Sequence, residues 1–248
     1  MFNAYCHLAV SPVRLESKDQ AEIVTQLLFG ELVSVEEING SWAKITTFSD
    51  AYSGFIDVKH IVKLTDKESK RWMDNYSYLQ DRERIISSPK GLQRICRGSY
   101  VPHHLGVFRI GNDDYSFLDE PSTVLSTPVE FAEDYFNTPY LWGGKSPYGI
   151  DCSGLTQIIY RLFDINLPRD ASQQVDVGTT IDFDDIEAND LAFFENKNGE
   201  ITHVGILDGK GHIIHAAGHV RKDLITPRGI LQITDKTITH KLNCIKRV

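Results

Sequence analysis

One helix constrains this chain more than any other feature. In the 248-residue sequence, Leu155, Ile158, Ile159 and Leu162 fall at i, i+3, i+4 and i+7, so one apolar stripe must face a core. Gly149-Ile150-Asp151-Cys152-Ser153-Gly154 runs directly into it and places a cysteine in its first turn. Downstream, residues 190–194, 202–207 and 212–216 are strand-length apolar or alternating pieces. A helix followed by antiparallel strands predicts an α+β domain. A shorter helix is expected over 128–135, with Thr127 as N-cap and Pro128 at the first helical position.

The residues before this region read differently. Segments 31–36, 42–45 and 54–58 have strand character, with Asn39-Gly40 as a hairpin turn, so 1–65 is expected to be a small all-β barrel. Residues 66–85 are dense in charge and predict a solvated helix or linker, anchored by Trp72 and Tyr76 at an i, i+4 spacing. Residues 92–96, 100–101, 106–110 and 115–118 again suggest strands, with Asn112-Asp113-Asp114 as turn chemistry, and Pro121-Ser122-Thr123 marks a boundary. The expected division is a barrel at 1–65, a linker helix with a second barrel at 66–122, and a catalytic domain at 123–248.

Composition narrows the function. Hydrophobic residues make up 41% and charged residues 24% of the chain, which suffices for a folded core. A formal net charge of −8 opposes nucleic acid, whose phosphates need clustered Lys and Arg, and favours a neutral or zwitterionic small substrate. The four cysteines, at 6, 96, 152 and 244, form no CxxC pair, so reduced thiols are expected rather than disulfides or a zinc knuckle. No apolar run reaches the ~18 residues of a membrane span. Met1 to Leu8 has neither a basic nor a long apolar signal segment, so the expected location is cytoplasmic, away from any membrane.

The candidate chemistry centres on Cys152. At a helix start, unpaired N–H groups and the positive end of the dipole favour a thiolate, and beside an imidazolium the thiol pKa can fall to roughly 3.5–7.5. The same N–H groups suit a developing oxyanion. Cys6, Cys96 and Cys244 read as buried small hydrophobes. His203, in Thr202-His203-Val204-Gly205-Ile206-Leu207, and His215, in Ile213-Ile214-His215-Ala216, flank the turn at 208–211. An odd loop keeps them on one face: with 208–210 as the loop His203 opposes His215, and with 209–211 they are diagonal neighbours. Either register lets His215 orient the His203 ring. An even loop separates them. The remaining histidines, 7, 60, 103, 104, 212, 219 and 240, read as surface or core. Cys152, His203 and His215 lack a fourth ligand for structural zinc, so no metal or other cofactor is expected.

Tyr140-Leu141-Trp142-Gly143-Gly144, the 149–155 segment, Thr202-His203-Val204-Gly205-Ile206 and Ile214-His215-Ala216 together resemble the NlpC family of papain-like cell-wall cysteine peptidases, over about residues 128–248. The resemblance implies Cys152 as nucleophile, His203 as base and then acid, and His215 as orienting residue. It also implies bacterial SH3-like barrels before residue 120. Members with this arrangement resemble γ-D-glutamyl-L-diamino acid endopeptidases, which release L-Ala-D-Glu from muropeptides in cell-wall peptide recycling or degradation. Trp142, Asp151 and Ser153 would then line the substrate pocket, with Asp151 toward a free N-terminal amine and Tyr52 as the barrel's contribution. Where some relatives place serine, this chain has Ala171, so that substrate hydrogen bond is either missing or supplied by Ser172; Asn189 stands where relatives usually carry glycine. The alternatives are an amidase or acyltransferase using the same three residues, and a non-catalytic module that only binds cell-wall peptides.

Overall fold

The computed structural model describes residues 1–103, 106–232 and 234–248; His104, expected at the surface or in the core, lies outside them. The described residues form two compact units, one of residues 1–123 with 142–147, the other of 124–141 with 148–248. No helix among them is long and apolar enough to cross a membrane.

In the first unit, seven antiparallel strands lie in the order Ile23–Leu28, Val10–Arg14, Ser53–Asp57, Trp42–Thr47, Leu32–Asn39, Phe2–Cys6, Ile61–Leu64. Alternation drives it: Val33 and Val35 are buried beside Val13, Ile45 and Ile56, while Ser34 and Glu36 are only partly covered. The hairpin loop is Gly40-Ser41, with Gly40 at φ 60°, the left-handed conformation such a tight turn needs.

A second sheet, in the order Gly91–Cys96, Glu83–Ser88, Asp113–Phe117, Val107–Ile110, belongs to the same unit. Tyr5, Phe29, Leu32 and Leu64 share one apolar cluster with Trp72, Ile86, Phe108 and Tyr115. The helix Asp66–Met73 is capped by Thr65 and Glu68, and its Trp72 donates an indole hydrogen bond to the Gly30 carbonyl at 2.9 Å. Tyr76 lies beyond that helix, on the strand Tyr76–Tyr78, so the i, i+4 pairing with Trp72 does not form. Asp113 and Asp114 pair within a strand, opposite Ile110 and Arg109, and the turn falls on Gly111-Asn112 instead.

The second unit is α+β. Six strands close on themselves: Ile238–Arg247, Ala188–Glu195, Ile201–Asp208, His212–Ala217, His219–Thr226 and Gly229–Leu231, the last pairing back to the first. The helix Cys152–Arg161 packs with all ten residues buried, as its apolar stripe demands. Thr127 and Glu130 form a reciprocal capping box on Pro128–Glu133, the N-terminus expected from Thr127-Pro128.

Candidate active site

Cys152 is the first residue of its helix, and Asp151 is the N-cap, accepting from the Gly154 N–H at 2.7 Å. Asp151 is itself held by Arg169, with Nη2 to Oδ2 at 2.5 Å and Nη1 to Oδ1 at 3.1 Å; Nη1 also donates to Ser153 Oγ at 3.0 Å. Arg169, Asp151 and Ser153 are all buried, so this is a desolvated, bidentate pair. Gln174 secures the same turn from the other side, donating to the Ser153 carbonyl at 3.0 Å and accepting from Thr156 Oγ1 at 2.7 Å.

The strand carrying His203 pairs with that carrying His215 through Ile206–Ile214 and Leu207–Ile213, which makes 209–211 the loop. Gly209 and Gly211 turn it at φ 69° and 88°. Of the two registers open to the sequence, this is the diagonal one. Gly205 makes it possible: a Cβ there would lie 2.9 Å from the His215 Cβ and 2.7 Å from Ile213 Cδ1. The result is a hydrogen bond of 2.8 Å between His203 Nε2 and His215 Nδ1.

His215 is fully buried, and its Nε2 lies 3.1 Å from Asp223 Oδ2. His203 is stacked against His240, ring centroids 4.3 Å apart at 24°, with Phe194 at 5.8 Å. Tyr140, Thr202, Ala216, Ala217 and Gly218 join His203 and His240 around a cleft of about 280 Å³.

Burial sets the protonation states. It pushes the Cys152 thiol up to about 12, with the Asp151 carboxylate adding to it, while backbone hydrogen bonds from Val204 and Ser153 pull the other way. The Val204 contact seats the sulfur against the residue next to His203. Burial likewise drives His203 well below the ordinary imidazole value, with His215, His240 and Arg221 adding to the effect. His215 moves down for the same first reason, although Asp223 opposes it. The resting pair is therefore a neutral thiol and a neutral imidazole. The thiolate expected from the helix start is not the resting form, because Cys152 is only 6% exposed and the strongest charge effect on it comes from a carboxylate.

Such an arrangement can take a proton from a thiol. With Nε2 committed to His215, Nδ1 is the ring nitrogen of His203 left to receive it. Among the described residues no group of three or more His, Cys, Asp or Glu side chains is disposed to hold a metal ion.

The NlpC/P60 family model matches residues 137–243, and a bacterial dipeptidyl-peptidase SH3 domain matches residues 13–61. A gamma-D-glutamyl-L-lysine dipeptidyl-peptidase of Bacillus cereus is 36% identical, covering 83% of this chain and 71% of the relative. Its namesake in Bacillus subtilis is 30% identical over 78% of this chain and 72% of the relative. The chain belongs to the NlpC/P60 family. A crystal structure of an NlpC/P60 family protein from Bacillus cereus has the same fold, with TM-score 0.79, 18% identity and 99% of both chains covered. These matches bear out the α+β, papain-like fold preceded by an SH3-like domain. The two Bacillus relatives are named as peptidases.

The other expected NlpC/P60 site residues are scattered in their surroundings. Trp142 falls in the first unit, 60% exposed, with its indole donating to Glu22 Oε1 at 2.5 Å. Tyr52 is half-buried in the first unit, where its backbone exchanges hydrogen bonds with Thr47. Ser172 is exposed on the short helix Ala171–Gln174, in which Ala171 is buried. Sequence reasoning missed Arg169, Asp223, Tyr140 and His240. Tyr140 could have been found from its own motif: its phenol is pushed up by burial and then by the nearby Cys152 and Asp151.

Proposed function

We propose that this chain is a cysteine endopeptidase that cuts the γ-D-Glu–L-diamino acid bond of murein-derived peptides carrying a free N-terminal L-Ala. The observation that carries this reading is the His203–His215 hydrogen bond, in the strand whose Val204 contacts the Cys152 sulfur. The names of the two Bacillus relatives support the substrate class.

In the proposed reaction His203 Nδ1 takes the Cys152 proton as the sulfur attacks the γ-carbonyl of D-Glu. The backbone N–H of Cys152, at the helix start, is suited to the oxyanion; that of Gly154 is already taken by Asp151. The tetrahedral adduct collapses as Nδ1–H is handed to the leaving amine of the diamino acid, leaving a thioester on Cys152. A water then gives its proton to Nδ1 and its hydroxide to the thioester carbonyl. L-Ala-D-Glu departs with a free γ-carboxyl group, and the sulfur recovers its proton from His203.

Asp151 and Ser153 are proposed to hold the substrate's amine, with Ser172 as a further pocket residue. Arg169 already balances the charge of Asp151, so an ammonium would join an existing ion pair rather than meet a bare carboxylate.

The test is incubation with L-Ala-γ-D-Glu-L-Lys and its diaminopimelate counterpart, each also in N-acetylated form, with products followed by chromatography. The reading predicts release of L-Ala-D-Glu from at least one free-amine peptide, and cleavage roughly 10–100-fold slower after acetylation, the cost of one charge-assisted contact. Equal cleavage of acetylated peptide contradicts the amine pocket. No release from either peptide contradicts the substrate assignment, and transfer of the acyl group to an added amine marks an acyltransferase instead.

A further inference from the structure

We propose that Asp223 is a positioning residue that fixes the tautomers of both histidines, so that the bare nitrogen of His203 is the one left for Cys152. The inference rests on the reading of Cys152 and His203 as the reacting pair.

Asp223 is buried on the strand His219–Thr226, opposite Ile213, which places it diagonally beside His215 on the same face. Its Oδ2 accepts from Arg221 Nε at 2.8 Å and lies 3.1 Å from His215 Nε2. Arg221 is anchored in turn by Nη1, which donates to the Ala217 carbonyl at 2.6 Å.

The proton inventory follows from chemistry. A carboxylate paired with a guanidinium has only lone pairs to offer, so His215 Nε2 must carry the hydrogen at this contact. Neutral His215 then presents a lone pair at Nδ1. That atom is 2.8 Å from His203 Nε2, which must therefore carry the hydrogen of the second contact. His203 Nδ1 is left unprotonated, the form a general base requires. The opposite order would set two acceptors against each other at Asp223.

The chain also serves the charged state. When His203 accepts the thiol proton, Nε2–H goes on donating to His215 and no proton crosses between rings. The groups around this charge, His215, the His240 ring and Arg221, all disfavour it, while Asp223 favours a charge on His215, the ring that it holds.

Two variants of the full chain, Asp223→Asn and Asp223→Glu, test the proposal. The amide of Asp223→Asn can donate to His215 Nε2, which reverses both tautomers while keeping the side chain's shape. Long-range ¹H–¹⁵N spectra of the imidazoles read the tautomers directly, and kcat and KM are measured on L-Ala-γ-D-Glu-L-Lys. The expected result is Nε2–H on both His203 and His215 in the wild type. In Asp223→Asn, His203 shifts toward Nδ1–H and kcat falls by up to about 10⁴-fold, the loss associated with a wrong tautomer. KM should change less than about threefold, as for an interaction felt in the transition state, and Asp223→Glu should restore part of kcat. Wild-type spectra with Nδ1–H on His203 would overturn the proposal, as would unchanged tautomers and kcat in Asp223→Asn. If Asp223→Asn fails to fold, the wild-type and Asp223→Glu spectra decide. If the wild type does not cleave the tripeptide, the substrate reading fails alone, because the tautomers are read without substrate.

Discussion

Asp151 occupies three positions at once: helix cap, partner of Arg169 and candidate ligand for the substrate's amine. Its substitution therefore cannot report on binding alone. Asp151→Asn leaves the Arg169 guanidinium buried without its carboxylate, a loss on the order of 3–5 kcal/mol. At about 2–4 °C per kcal/mol for a chain of this size, the melting temperature should fall by roughly 10 °C, measurable by circular dichroism. A shift below about 2 °C would show that Arg169 finds another partner. The acetylated peptide is the cleaner probe of amine recognition because it leaves this network intact. At the same scale, Cys152 shows where a local rule was overruled. The helix start does favour a thiolate, but burial and the adjacent carboxylate outweigh it, so in the proposed mechanism His203 acts as a base from the beginning of the reaction rather than as the partner of a standing ion pair.

The elements explain which parts of the site could be read from the sequence. Cys152 announces itself because its helix has a clean apolar period and a capping residue just before it. His203 and His215 lie on adjacent strands joined by a three-residue loop, so parity alone restricted them to one face, and Gly205 and the two loop glycines chose the diagonal register. Asp223 sits one strand further on, in His-Val-Arg-Lys-Asp-Leu-Ile-Thr, where the charged run hides strand character until pairing with His212–Ala217 is known. His240 was beyond reach for a different reason. It lies on Ile238–Arg247, which pairs with Ala188–Glu195 nearly fifty residues earlier, and a contact of that range leaves no trace in local periodicity. Similarly, the Trp142–Pro147 excursion into the first unit shows in no local pattern. Its Gly143 packs so closely that a Cβ would lie 2.3 Å from the Ile23 carbonyl, and its Lys145 forms a buried pair with Glu31.

The molecule as a whole gathers groups whose burial ties stability to pH. His60, His203, His215 and His240 all titrate below the ordinary imidazole value, His240 at about 4, in each case chiefly through burial. The unfolded chain takes up protons at these sites near pH 6.5 and the folded chain resists them, so stability is complete above about 6.5 and is lost as pH falls toward 4. Burial pushes Cys6, Cys96 and Cys152 up to about 12, so above the ordinary thiol value of about 8.5 the unfolded chain ionises first and stability falls again. Calorimetric melting temperatures should plateau between about pH 6.5 and 8.5 and decline on both sides. A melting temperature that rises on acidification to pH 5 would mean that these histidines gain protons on folding.

Release of L-Ala-D-Glu from L-Ala-γ-D-Glu-L-Lys by Cys152→Ala, set against the wild type, is the sharpest test of Cys152 as the proposed nucleophile. The expected rate is at least about 10⁴-fold lower with the melting temperature little changed, since in the proposed reaction the removed atom initiates every turnover. Release within tenfold of the wild type would place the chemistry on some other group and contradict it.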